Sequence, residues 1–103
     1  MPTYEPTMKY DNIDNKIAKY GFHKTEEDYY GVRYVRYDDD YGFTQVLTIV
    51  HKKNGKHEIQ SYDERTIYDF ETHNYFCSCC GFEAELLMLL KKKFKIMKRR
   101  YKW

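Results

Sequence analysis

The most constraining stretch of the chain is its last quarter, Gly81 to Trp103, GFEAELLMLLKKKFKIMKRRYKW. At about 100° per residue, Phe82, Leu86, Leu87, Leu89, Leu90, Phe94, Ile96, Met97 and Tyr101 fill one half of a helical wheel. Lys91, Lys92, Lys95, Lys98, Arg99 and Lys102 fill the other half. A helix with so wide an apolar arc needs a second layer to cover it. The rest of the chain is therefore expected to supply a sheet. Lys93 and Arg100 fall off the basic arc, and their stems are expected to lie on apolar surface while the charges reach water.

The preceding residues supply that sheet. Residues 1–9, with Pro2 and Pro6, read as a loose arm before a single domain over 10–103. Asp11 reads as an N-cap with Asp14 as its box partner. Ile13, Ile17 and Tyr20 share a face and Gly21 stands at C′, which predicts a short helix over 12–20. From Phe22 the period becomes two. Phe22–Thr25 is an optional edge strand, and Gly31–Tyr37 and Phe43–Lys52 are strands rich in Val, Ile and Tyr. Asn54-Gly55 signals a two-residue hairpin turn to a third strand ending near Tyr62. That turn would set His51 opposite Glu58 and Val50 opposite Ile59. Val46, Thr48, Val50, Ile59 and Ser61 would then share one face, and Leu47, Ile49, Gln60 and Tyr62 the other. Asp63–Ser78 has no clean period and reads as a connector with a helical turn at Glu64–Tyr68. The fold class is thus α+β: a short helix, a three-stranded antiparallel meander, and a long amphipathic helix packed on the sheet.

Charge sharpens the functional reading. Residues 1–85 hold 10 Lys and Arg against 16 Asp and Glu, a balance of −6, while residues 86–103 carry eight cations and no carboxylate. Like-charge pairs such as Lys91–Lys95, Lys95–Arg99 and Lys98–Lys102 each cost a helix a few tenths of a kcal/mol, about 0.2–0.5. A merely solvated face would intersperse Glu. The pattern points to an anionic partner, and Lys91, Lys92, Lys95, Lys98, Arg99 and Lys102 are the contact candidates. Tyr34, Arg36 and Tyr37 are secondary candidates, because aromatic and Arg side chains on a strand can stack bases and hold phosphates.

Other motifs argue for blander roles. Cys77, Cys79 and Cys80 with His73 suggest zinc, but adjacent cysteines suit one tetrahedral site poorly and no second Cys pair is present. Asp38-Asp39-Asp40 reads as a solvated turn. The four histidines (23, 51, 57 and 73) form no nucleophile–base–orienter set, and there is no phosphate loop, G-x-S-x-G or H-E-x-x-H. The expectation is a non-enzyme without cofactor or metal. No apolar run approaches the roughly 18 residues of a membrane span, and the N-terminus lacks a secretory pattern, so a cytoplasmic protein is expected.

Lys19-Tyr20-Gly21-Phe22, Glu26-Glu27-Asp28-Tyr29-Tyr30-Gly31-Val32 and His51 to Tyr62 (HKKNGKHEIQSY) resemble small accessory proteins of phages and mobile elements of low-GC Gram-positive bacteria. The resemblance spans residues 10–103 and rests on the order of elements rather than on a chemical motif. Some proteins of this kind are anti-CRISPR inhibitors of type II effector nucleases. It therefore implies a non-enzymatic inhibitor acting in the host cell on a CRISPR effector nuclease or its guide RNA. The alternative is a small nucleic-acid-binding or transcription-regulating phage protein. The resemblance supplies no binding residue.

Overall fold

The computed structural model describes residues 9–38, 43–69, 74–79 and 81–103, with side chains described for 9–37, 44–63 and 81–103. Elements follow in the order α1 (Asn12–Ala18), β1 (His23–Asp28), β2 (Gly31–Asp38), β3 (Phe43–Val50), β4 (Glu58–Asp69), β5 (Asn74–Cys79) and α2 (Ala84–Tyr101). The strands form one antiparallel meander, β1-β2-β3-β4-β5. The α+β class and both helices match the sequence reading, but the sheet has five strands rather than three.

Of the two added strands, β1 takes up and extends the optional edge strand read at Phe22–Thr25, and β5 was not foreseen. β1 runs straight through Glu26-Glu27-Asp28, because pairing with β2 outweighs the poor strand propensity of carboxylates. β4 continues through Glu64–Tyr68, where a helical turn was expected, and β5 pairs back on it with a register shift between Glu64 and Tyr68. That irregularity breaks the period-two signal in Asp63–Ser78.

The β3–β4 hairpin also differs from expectation. Only Gly55 has positive φ in its turn (+81°), so Asn54-Gly55 is not a type I′ pair. Instead Gly55 N–H donates to Lys52 O at 2.9 Å, and Asn54 Oδ1 accepts from Lys56 N–H at 2.9 Å. The loop thus spans an odd number of residues, 51–57, and pairing slips by one: Val50 faces Glu58 and Ile49 faces Ile59. A one-residue slip exchanges the faces of a strand. Ile59 and Ser61 join Leu47 and Ile49, while Gln60 and Tyr62 join Val46, Thr48 and Val50.

The first of these faces carries the helices. Val32, Tyr34, Leu47 and Ile49 pack with Ile13 and Ile17 of α1, Phe22, and Leu86, Leu90 and Met97 of α2, all buried. Asp11 caps α1 as expected: its Oδ1 accepts Asp14 N–H at 2.9 Å and Asp14 Oδ2 accepts Asp11 N–H at 3.0 Å. The α1 helix ends at Ala18, and Gly21 (φ +92°) turns the chain into β1. Arg36 ties the start of α2 to the sheet. It donates to Glu83 Oε2 at 2.9 Å, Gln45 Oε1 at 2.8 Å and Tyr20 O at 3.0 Å, and lies over the Phe22 ring at 4.2 Å.

Gly31 opens β2 with φ +148°, and a Cβ there would stand 2.2 Å from the Ile49 carbonyl oxygen. Gly55 has nothing within 4 Å of a built Cβ. Urea denaturation should therefore separate the two: Gly55→Ala should lose about 1–2 kcal/mol from its backbone conformation alone, and Gly31→Ala distinctly more. Equal losses would mean that the close approach of β2 to β3 is not as described.

Candidate functional site

The helix α2 divides its cations between two environments. Leu86, Leu90, Lys93 and Met97 lie on one stripe at i, i+4, i+7 and i+11, and all four are fully buried. Lys93 takes the place of a core apolar residue. Its ammonium does not reach water, contrary to the sequence expectation. It meets Asp11 Oδ2 at 2.7 Å, Glu27 Oε1 at 2.7 Å and Asp14 Oδ1 at 3.0 Å.

These carboxylates serve more than one cation. Lys24 Nζ reaches Asp14 Oδ2 at 2.8 Å and Glu27 Oε1 at 2.9 Å, and also the carbonyl of Lys9. Arg100 pairs with Glu27 and, at 3.2 Å, with Asp11 Oδ2. Tyr34 OH donates to Asp14, and Tyr101 OH donates to Glu27 Oε2 at 2.8 Å. Three carboxylates thus face three cations, and the group is neutral as a unit. Burial of this kind is tolerable only when every charge is paired and its remaining hydrogen-bonding capacity is met.

A single backbone irregularity makes the arrangement possible. In a regular strand Lys24 and Glu27 would point to opposite faces. The β1–β2 register skips Thr25, so Lys24 faces Tyr34 and Glu27 faces Val32 on the same side of the sheet. The extra residue re-aims one side chain, which is a common use of a bulge.

The electrostatics follow from the contacts. For Glu27, burial works to raise the pKa, but the hydrogen bonds from Lys93, Lys24 and Tyr101 outweigh it and bring the value down to about 2. Asp11 is likewise held low: burial opposes, and Lys93, Asp14 N–H and Arg100 prevail. Lys93 is raised, the burial penalty being exceeded by Asp11, Glu27 and Asp14. Tyr34 is pushed far above its ordinary value by burial and then by Asp14, so its hydroxyl remains a donor. The ligand oxygens of Asp11, Asp14 and Glu27 lie within 4.8 Å of one another, a spacing that could suit a divalent cation. The Lys24 and Lys93 ammoniums already occupy the point where those oxygens converge, so the chemistry is that of an internal ion cluster.

The remaining cations of α2 face outward. Lys91, Lys92, Lys95, Lys98, Arg99 and Lys102 are all exposed, and among the described residues none forms an ion pair. Lys98 lies 5.7 Å from the Phe94 ring centroid. Met88, 61% exposed, stands within this arc one turn before Lys91 and Lys92, and Leu87, assigned from sequence to the apolar face, is 39% exposed. Lys91 to Lys102 span about 16 Å along the axis at 1.5 Å per residue.

The secondary candidates do not form one surface. Tyr34 is fully buried, its ring in the core and its hydroxyl on Asp14, so it is not available to a partner. Arg36, on the same face, is committed to Glu83 and Gln45. Tyr37 is 61% exposed and belongs to the opposite face of the sheet. His51 is not opposite Glu58; the slipped register sets it against His57. The side chains of Cys77 and Cys79 in β5, and Asp39, Asp40, His73 and Cys80 altogether, lie outside what is described. Among the described residues no helix is long and apolar enough to cross a membrane.

What sequence reasoning missed was the ion cluster, although one signal was present: Lys93 sits at the centre of the apolar arc rather than at its edge. No family model, curated protein or solved structure matches the chain. The site therefore has to be read from its own chemistry.

Removing one partner of a buried ion pair strands the other charges. Lys93→Met should cost roughly 3–5 kcal/mol in denaturant titration, against less than about 0.5 for Lys95→Met on the exposed arc. The pH profile is a second check. The pKa of Glu27 falls from an ordinary 4.5 to about 2 on folding, so its contribution is present above pH 4.5 and is lost as pH falls from 4.5 toward 2. The loss should be on the order of 3 kcal/mol. Glu27→Gln should flatten that acid limb; an unchanged limb would contradict the assignment.

Proposed function

We propose that the protein is a non-enzymatic binding protein that grips an anionic partner through the outer arc of α2, and that it acts as a phage-type anti-CRISPR inhibitor of a type II effector nuclease. The observation that carries the binding mode is the separation of cations on one helix. Lys93 and Arg100 are consumed by Asp11, Asp14 and Glu27, while six others stand exposed and share their arc with no carboxylate. Such an arc raises the local potential and attracts a polyanion or an acidic protein groove. The target class is supported by the resemblance of the chain to accessory proteins of phages and mobile elements, and by that alone. Inhibitors that imitate DNA are acidic, and this arc is the reverse. Competition for guide RNA, or a grip on an acidic groove of the nuclease, suits it better.

A second reading, direct binding of bare nucleic acid, has one observation in its favour. The stripe is about 16 Å long, and duplex DNA presents a charge every 1.7 Å or so of its axis. Six phosphate contacts would give a salt slope of about −4 to −5 log units per log salt.

Co-purification with a type II effector, with and without guide RNA, decides between these readings. The lead reading expects co-elution with the effector or a block of guide loading or cleavage. Lys91→Glu, Lys95→Glu, Lys98→Glu and Lys102→Glu combined should abolish that effect with an unchanged far-ultraviolet circular dichroism spectrum. No association with effector, together with a steep salt-dependent affinity for bare nucleic acid, would overturn the inhibitor reading in favour of the second. Full inhibition by the folded quadruple variant would clear the arc of any role.

A further inference from the structure

The slipped register of the β3–β4 hairpin has a chemical consequence away from the basic arc. It sets His51 and His57 against each other at the neck of the loop, with their Nδ1 atoms 3.2 Å apart and ring centroids 4.8 Å apart. Two imidazole nitrogens bound to one tetrahedral ion at about 2.05 Å are separated by roughly 3.3 Å. A straight N–H···N bond between in-plane rings would hold the centroids further apart, at about 5.5 Å for this nitrogen separation and imidazole-sized rings. The observed Nδ1 separation is thus that of two ligands on one ion, with the rings closer together than in a straight in-plane pair.

The surroundings support the same geometry. His51 Nε2 is 3.2 Å from Tyr29 OH, the outer hydrogen bond that orients a ligating imidazole. Trp103 stacks on His51 at 4.9 Å and 9°, and lies tilted against His57 at 5.0 Å and 30°. Its own position is fixed by Lys102, in left-handed conformation (φ +55°), and by Nε1–H donating to Tyr29 O at 2.8 Å. Both histidines are half-buried, which leaves coordination positions open to solvent.

We infer that His51 and His57 form a two-imidazole site for a divalent transition metal of the class that prefers nitrogen ligands, Zn2+, Ni2+ or Cu2+, with Tyr29 orienting His51 and Trp103 as its lid. Solvent completes the coordination. The Lys52 N–H, which lies 3.2 Å from His57 Nδ1, gives up that long contact when the metal binds. The bound ion fastens the 51–57 loop beneath Trp103. The site draws no ligand from the basic arc.

Trp103 is the single tryptophan of the chain, so it reports the site directly. Titrating the full chain with Ni2+ or Cu2+ at pH 7.5 should quench its fluorescence saturably, with at least a tenfold weaker midpoint at pH 5.5, where protons compete for the imidazoles. Zn2+ should compete with the quencher, and native mass spectrometry should show one ion lost in His51→Ala and in His57→Ala. Cys77→Ser, Cys79→Ser and Cys80→Ser combined removes the thiol ligands and should leave the quenching intact. His23→Ala should do the same. Absence of quenching, or quenching that survives His57→Ala in a chain with native circular dichroism, would overturn the site. Quenching lost only in the cysteine variant would do so as well.

Discussion

The interaction on which the structure depends is the ammonium of Lys93 among the carboxylates of Asp11, Asp14 and Glu27. It joins the first helix, the edge strand and the terminal helix at one point, across sequence separations of up to 82 residues. An apolar contact there would have tolerated sliding. A charged cluster does not, because each ion left unpaired in a buried site costs several kcal/mol. The cluster thus acts as a register pin: it fixes how far α2 is advanced and how it is rotated over the sheet.

That rotation decides what α2 presents outward. With Lys93 turned in, and Leu86, Leu90 and Met97 beside it, the opposite arc is necessarily Lys91, Lys92, Lys95, Lys98, Arg99 and Lys102. Arg100 is drawn inward at the margin by Glu27 and Asp11. The acidic excess of residues 1–85 is then not simply spread over the surface; three of its carboxylates neutralise three cations internally. At the far end of the helix the same rotation lays Trp103 over the His51–His57 pair.

Much of this was legible in the chain. The Asp11 box, the Val- and Tyr-rich strands and the wide apolar arc of α2 each state their element through local periodicity and capping chemistry. What was not legible depended on long-range pairing. Glu26-Glu27-Asp28 looks unlike a strand until β2 pairs with it. The bulge at Thr25 cannot be seen without its partner strand, and it alone puts Lys24 and Glu27 on one face. Asn54-Gly55 suggested the commonest short turn, and the odd-length loop that formed instead exchanged the faces of Ile59 and Gln60. Tyr34 was offered as a contact residue because Tyr and Arg interleave along its strand, where its position opposite Leu47 makes it core. Lys93 and Arg100 were visible as exceptions on the helical wheel, but a long cation at such a position can equally extend its stem to water; the carboxylates of Asp11, Asp14 and Glu27 decide otherwise.

The division of the α2 cations into inward and outward groups can be observed directly. Nitrogen-detected NMR of 15N-labelled lysine side chains near pH 6 distinguishes ammonium groups shielded from solvent from those exchanging freely. The account expects slowly exchanging, fully charged signals for Lys93 and Lys24, assigned by their loss on single Lys→Arg replacement. Lys91, Lys92, Lys95, Lys98 and Lys102 should be broadened by rapid exchange. A Lys93 signal that exchanges as fast as Lys95, or one with the shift of a neutral amine, would contradict it.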